Sequence, residues 1–429
     1  MSSPRLPDSV AVPAGRVAGG TVRVPPSKSV SHRYFNLTLL SGRPAVIENP
    51  LQAEDLTLFS RALEQLGYSV AMRGRTLRLE PPLTLARQAT IDCGNAGTMY
   101  RFLVAAMTTL EGEWILTGTP RLAERPIGPL VGALRQLGAD IDYLDKEGYA
   151  PLRIRGATLR GGAVDIDASE SSQFLSAVLM AASRASEDVD LRVLSLASSP
   201  YLDLTLEAVA LFGGSIERPH SDRFVIHPGP LEAPRLEVEG DFSAAAYPAA
   251  AAVLTGGSVL LEGLRESSRQ GDRRFIDLLV SMGAEAVWSE EGLRVSGRLS
   301  RAPTVDLQDM PDQVPTLAAI APFVEGTTRI TNVAHLRIKE SDRLAVMARE
   351  LSRVGARVSE LPDGLVIEGS WSHSEPPAES VVVDPENDHR IAMSLALVGL
   401  RRPGVVIGEA YVVAKSYPGF WQDLDTLVG

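Results

Sequence analysis

Apolar and polar positions along this 429-residue chain follow a pattern that returns five times. Apolar residues at helical spacing run up to Leu, Phe, Met or Val and then a glycine, and a short alternating stretch follows. The segments LEQLGYSV, LRQLGADI, VALFGGSI, LVSMGAEA and LSRVGARV place these glycines at Gly67, Gly138, Gly213, Gly283 and Gly355. A glycine just past the last apolar helical position predicts a left-handed helix end. A turn comes next: RGR near Gly74, KEG at Gly148, HSD near His220, EEG at Gly292 and PDG at Gly364. A second short run follows each turn: TLRLE, PLRIR, RFVIH, LRVSG and LVIEG. Two such runs around a Gly-containing turn predict a β-hairpin.

A second landmark keeps the same period. Short apolar strands are predicted in GRPAVIENP, GEWILTG, EDVDLRVLS, GGSVLLEG, GTTRITN and PGVVIGEA. Each is followed by a polar linker and another helical pattern. The chain therefore reads as six units of β-α-β-α-β-β, the last cut short after Leu427. Two helices per unit argue against propeller blades. Three units per domain give an α/β protein of two domains of ordinary size. Exchange points near Thr21–Pro25 and Glu239–Phe242 predict an inserted domain, residues 23–241, carrying units one to three. Residues 1–22 and 242–429 are then a discontinuous domain with units four to six, and the active-site cleft is expected between the two. The N-terminal GRVAGGTVRVP reads as a strand left over to complete the sixth unit.

Composition narrows the function classes. Hydrophobic content of 45% and charged content of 22% are ordinary for a globular protein. The start, MSSPRLPDSVAVPAG, has no basic segment followed by an apolar one, so no signal peptide is expected. Apolar runs such as Ala244–Leu254 are too short to span a bilayer. One cysteine, Cys93, excludes an internal disulfide framework and fits a reducing cytoplasm. With no CxxC pair and no HExxH, no metal site is expected. The net charge of −11 and the sequence pI of about 5.2 give no footprint for nucleic acid. If the protein binds anions, its cations must be gathered in one place.

They are gathered at strand-to-helix junctions. RIKESDR, Arg337–Arg343, holds five charges in seven residues between a strand-like Thr327–Val333 and a helical pattern with Leu344, Val346, Met347, Leu351 and Val354. Helix N-termini favour anions through free N–H groups and the helix dipole. PPSKSVSHR places Lys28, Ser29 and Arg33 at a helix start, without the GxxxxGK[ST] of a P-loop. GNAGTMYR brings Asn95, Gly97, Thr98 and Arg101 before an expected helix Phe102–Leu110, and Arg125 follows the next strand. Ser171, Ser172 and Gln173 precede a fully apolar helix, and Ser198 and Tyr201 hold the matching place in the third unit. In the second half Asp309 and Asp312 precede an expected helix Thr316–Val324, and Asn387–Arg390 precede another; Lys415 follows the final strand. Each alone could be a capped helix with solvated ion pairs. Together they predict a cationic cleft for two polyanionic substrates. Asp312, Glu340 and Asp388 lie within it as candidate acids, bases or partners of the arginines.

As a set, PPSKSVSHR, GNAGTMYR, RLAERPIG, SSQFL, SPY, the MPD of DMPD, RIKESDRL, NDHRIAM and AKSYPGF resemble the 5-enolpyruvylshikimate-3-phosphate synthases of the enolpyruvyl transferase family. They stand in family order from residue 25 to 420. The resemblance implies two inside-out α/β barrels of three units each, a cytoplasmic monomer, and no cofactor, membrane or nucleic-acid partner. The implied reaction moves the enolpyruvyl group of phosphoenolpyruvate to the 5-hydroxyl of shikimate 3-phosphate. It implies that Lys28, Ser29, Arg33, Ser171, Ser172, Gln173, Ser198, Tyr201, Asp312 and Lys339 hold shikimate 3-phosphate. Lys28, Gly97, Arg125, Gln173, Arg343, His389, Arg390 and Lys415 would hold phosphoenolpyruvate. Asp312 and Glu340 would be catalytic, with Lys28 competing for part of the proton traffic. After GNAGT the chain reads Met99, Tyr100, Arg101, Phe102 where family members often have Ala-Met-Arg-Pro, and it departs from common family usage also at His335 and at Ser199. Two alternatives stay open. A sister transferase acting on a UDP-N-acetylglucosamine acceptor carries a cysteine that the loop Gly118–Glu124 lacks. A non-catalytic anion-binding relative would be expected to lose Lys28, Asp312, Glu340 or Lys415, and all four are present.

Overall fold

The computed structural model describes residues 6–232, 235–371 and 379–429; residues 1–5 of the expected N-terminal domain segment lie outside them. The chain divides into two compact units, Met1–Pro25 with Glu239–Gly429, and Pro26–Val238.

Among the described residues the repeated pattern gives six small sheets. In one, Gln88–Asp92 runs parallel to Gly112–Thr117, which pairs antiparallel with Leu152–Gly156, which in turn closes a hairpin with Asp140–Tyr143. Five sheets share this order. The helix ends fall where the glycines predict them: Gly67, Gly138, Gly213, Gly283 and Gly355 all take positive φ, between 77° and 119°. A side chain there would be strained, which is why one residue type recurs at this place.

The first helix of each repeat is buried nearly all round. Lys28–Ser41, Gly97–Met107 and Ser172–Ala182 pack against one another in one unit. Phe242–Thr255, Val314–Ile320 and His389–Arg401 do so in the other. Most of them are predominantly apolar in sequence, which suits helices covered on every side; Lys28–Ser41 instead buries polar residues such as His32, Arg33 and Asn36. Burying each large apolar side chain in them, such as Phe102, Phe174 or Leu395, contributes about 1.5–3 kcal/mol. The second helices are amphipathic: Arg343–Arg353 turns Leu344, Val346, Met347 and Leu351 inward and leaves Arg349 and Arg353 half in solvent. No helix among the described residues is long and apolar enough to cross a membrane.

Three expectations are corrected. The N-terminal piece does not complete the sixth unit with Gly19–Arg23: that strand pairs parallel with Ser258–Glu262 of the fourth unit. The sixth sheet is filled instead by Ser9–Ala11, antiparallel to Val405–Gly408. An alternating pattern fixes which face of a strand is buried, and not which sheet it joins. The matching first strand of the first unit, Arg235–Glu237, pairs with Ala45–Glu48. The helix expected at Phe102–Leu110 begins earlier, at Gly97, because the backbone turns at Gly94 and Asn95 before it. The one expected at Thr316–Val324 is Val314–Ile320 with a 3-10 turn on each side.

Candidate functional site

Each unit holds its own polar group at its helix N-termini. In the unit Pro26–Val238, Ser27 caps the helix Lys28–Ser41 by accepting from the Val30 amide. Lys28 Nζ lies 3.2 Å from Asp55 Oδ2, both groups largely buried. His32 Nδ1 is 2.9 Å from the Lys28 carbonyl, and burial brings its imidazole down to about 4, so it is neutral near pH 7. Arg33 is 2% exposed. Its Nε donates to Thr205 Oγ1 (2.9 Å), and its two Nη atoms donate to the Ser29 carbonyl (2.8 Å), the Tyr201 carbonyl (2.7 Å) and Ser176 Oγ (3.4 Å). Phe102 lies under its guanidinium. All these acceptors are neutral. Burial pulls Arg33 down to about 10, so it still carries its charge at neutral pH. A buried cation surrounded by neutral oxygens carries a charge that none of these acceptors offsets, and such a charge favours an anion beside it.

Gln173 ties two helix starts together. It accepts from Arg101 through Oε1 at 2.7 Å and donates to Thr98 Oγ1 at 2.9 Å. Ser171 caps the helix Ser172–Ala182, accepting from the Gln173 amide at 3.3 Å, and Ser172 is its buried first residue. Ser198 is buried with φ 59°, just before the helix Pro200–Leu211 that carries Tyr201.

Gly97 stands against Arg125. A Cβ at Gly97 would lie 2.6 Å from both terminal nitrogens of the buried Arg125 guanidinium. Gly97→Ala must therefore displace Arg125, a shift of several tenths of an ångström. The expected result is a rise in KM for an anionic substrate held by Arg125 of roughly tenfold or more, the cost of about 1.4 kcal/mol. Steady-state kinetics measures it; an unchanged KM would remove Arg125 from the site.

In the unit Met1–Pro25 with Glu239–Gly429, the RIKESDR stretch meets three other junctions. Arg343, 2% exposed, is the hub. Its Nε is 2.7 Å from Asp388 Oδ2, one Nη 2.8 Å from Asp312 Oδ1 and the other 3.0 Å from Glu340 Oε2. Arg390 reaches the second Asp312 oxygen at 2.6 Å, and Lys415 Nζ lies 3.7 Å from Glu340 Oε1. Asp388 caps the helix His389–Arg401 through the Arg390 amide, accepts from Ser341 Oγ, and lies 3.7 Å from His389 Nδ1. Burial alone would raise the Asp312 carboxyl, but Arg390, Arg343 and Lys339 overcome it and hold the group well below the usual carboxylate range. Burial opposes the charge on Arg343, and Asp388, Glu340 and Asp312 more than offset it. His335, beside Lys339, is brought down to about 3, chiefly by burial.

Arg337 and Asp342 pair with each other at 3.0 Å. Arg337 also binds Glu360 and the carbonyls of Leu361 and Pro362, and Asp342 caps its helix by accepting from the Ala345 amide. Both serve the fold. The candidate residues thus fall into two sets. Lys28, Ser29, Arg33, Gly97, Arg125, Ser171, Ser172, Gln173, Ser198 and Tyr201 belong to one unit, and Asp312, Lys339, Glu340, Arg343, His389, Arg390 and Lys415 to the other. The structure adds Asp55, Ser176, Thr205, Tyr247, Asp272 and Gln313, which carry no local motif in the sequence. QGD at Asp272 is one acid among many junction acids, and Thr205 and Ser176 look like ordinary helix residues.

The family model described as EPSP synthase (3-phosphoshikimate 1-carboxyvinyltransferase) matches residues 13–424. A protein named 3-phosphoshikimate 1-carboxyvinyltransferase from Syntrophobacter fumaroxidans is 44% identical, over 94% of this chain and 96% of its own. One of the same name from Methanoculleus marisnigri is 42% identical, over 93% of this chain and 94% of its own. A solved structure of EPSP synthase from Acinetobacter baumannii superposes with a TM-score of 0.78 at 26% identity, covering 98% of each chain.

Proposed function

The chain belongs to the EPSP synthase family, and from that premise we propose that it transfers the enolpyruvyl group of phosphoenolpyruvate to the 5-hydroxyl of shikimate 3-phosphate, releasing phosphate. The observation that carries the assignment of roles is the pairing of each reactive acid with two cations. Asp312 lies between Arg343 and Arg390, and Glu340 between Arg343 and Lys415.

Arg33, Ser171, Ser172, Ser198 and Tyr201, with Ser29, hold shikimate 3-phosphate, and Arg33 supplies the buried charge that an anionic group offsets. Asp312 and Lys339 meet its hydroxyls. Lys28, Gly97, Arg125, Gln173, Arg343, His389, Arg390 and Lys415 hold phosphoenolpyruvate. Gln173, whose oxygen is taken by Arg101, faces its ligands as a donor.

The chemistry is addition followed by elimination. Glu340 delivers a proton to the methylene carbon, the hydroxyl oxygen bonds to the neighbouring carbon, and Asp312 takes the hydroxyl proton. The tetrahedral ketal then returns a methyl proton to the Glu340 carboxylate and phosphate departs, restoring the double bond. Asp312 is ionised before substrate arrives, but its low proton affinity makes it a weak base. Anionic groups of the substrates draw on Arg343 and Arg390, and Asp312 then becomes a stronger base. Fixed arginines and lysines at developing negative charge supply the electrostatic term.

Phosphate release from phosphoenolpyruvate is the test. Release with shikimate 3-phosphate and none with UDP-N-acetylglucosamine is expected. Release with the sugar nucleotide alone would reassign the acceptor, and release with neither would reject the activity.

A further inference from the structure

The unit that holds Asp312 and Arg390 buries a carboxyl that none of these roles uses. Asp272 sits in the turn Gly271–Arg273 that leads into the helix Arg274–Ser281, and is 4% exposed. Ser243, in the first turn of Phe242–Thr255, donates its hydroxyl to Asp272 Oδ2, while Oδ1 has no hydrogen-bond partner. Gln313, which follows Asp312, is fully buried. Its amide is near enough to Asp272 to favour the carboxylate, yet neither its nitrogen nor its oxygen is in hydrogen-bond geometry. Tyr247, one turn beyond Ser243, is buried with its hydroxyl also lacking a hydrogen-bond partner, and it faces Arg390, Asp312 and Arg343. The charged groups that act most strongly on Asp272 are Asp312, on the turn Pro311–Gln313, and Arg390, on the helix His389–Arg401. Burial first and the Asp312 charge second push Asp272 up to about 6; Arg390, Ser243 and Gln313 pull it back.

We propose that Asp272 is a positioning residue that couples anion binding to proton uptake: when an anionic group of phosphoenolpyruvate engages Arg390, Asp272 Oδ1 takes one proton from solvent, and its negative charge no longer opposes the incoming anion. This rests on the assignment of Arg390 to phosphoenolpyruvate. Arg390 is the cation that opposes protonation of Asp272. An anion that consumes its field raises the proton affinity of a carboxyl kept from water. Binding that takes up a proton is strongest at low pH and weakens as pH rises through the free value and up to the bound one. Each unit by which the bound anion raises Asp272 costs about tenfold in affinity across that window.

The test compares kcat/KM for phosphoenolpyruvate between about pH 6 and 9 in the wild type and in Asp272→Asn, at saturating shikimate 3-phosphate. Asparagine keeps the acceptor for Ser243 and cannot titrate. Ionisation of the substrate phosphate affects both enzymes alike, so their ratio isolates Asp272. The ratio of variant to wild type is expected to rise by about tenfold across this range. A constant ratio in active enzymes overturns the proposal alone. Absence of wild-type turnover removes the Arg390 assignment, and the proposal with it. If Asp272→Asn does not fold, Ser243→Ala removes a hydrogen bond that favours the carboxylate. It is expected to move the wild-type fall in kcat/KM to higher pH, and an unmoved profile overturns the proposal.

Discussion

Glu340→Gln is expected to lower kcat by about 10²–10⁴-fold, the usual worth of a positioned general acid or base, with KM for either substrate changing far less. The amide keeps the length of the side chain and leaves an oxygen to accept from Arg343, which donates to Glu340 at 3.0 Å. What it loses is the proton. The Lys415 side, at 3.7 Å, meets an amide instead of a carboxylate, so a modest fall in phosphoenolpyruvate affinity accompanies the loss of turnover. Because the step that loses stabilisation is the chemical one, kcat and kcat/KM should fall together. Turnover within a few-fold of wild type would mean that the methylene carbon receives its proton elsewhere, with Lys28 the next candidate.

Asp312→Ala is expected to be as severe for kcat and opposite for binding. Asp312 holds one nitrogen of Arg343 and one of Arg390. Without it, two cations lose their shared partner and are freer to hold an anion. KM for phosphoenolpyruvate is expected to stay level or fall while kcat drops by at least about 10²-fold. The apo protein should melt earlier, because removing one member of a buried ion network leaves its partners uncompensated. Added phosphate should restore part of the loss by binding the folded state. An intact kcat would show that another group takes the hydroxyl proton. Asp312 and Glu340 share Arg343, so the double variant should cost much less than the sum of the two single effects.

Much of the fold was legible because its signals are local. A glycine closing a helix and a turn residue between two alternating runs each act within a few positions, and the repeat printed them five times. The cations at the junctions were legible for the same reason: Lys28, Arg343 and Arg390 each stand beside a helix start. Contacts made across the fold were not. Asp55 reaches Lys28 and Thr205 reaches Arg33 only because separate helices bring them there. Gln313 and Asp272 gain interest from what they lack, buried hydrogen-bond partners, which a sequence does not display. The strand Gly19–Arg23 was recognisable as a strand, but its sheet was not, since the pattern says nothing about which neighbour lies beyond a long excursion of the chain.

That excursion dictates an order of events during synthesis. Gly19–Arg23 leaves the ribosome before the inserted unit, yet its neighbour Ser258–Glu262 emerges only after the whole of Pro26–Val238. Ser9–Ala11 waits longer still, until Val405–Gly408 is made. The middle of the chain can therefore fold while the N-terminal strands remain unpaired, and the outer unit closes last, around a beginning that was translated long before its partners. Unpaired strands are the segments that associate with other chains. In the newborn protein they are these two strands, and the charged Arg23 and the two prolines that follow it suit a segment that must stay single until its sheet exists.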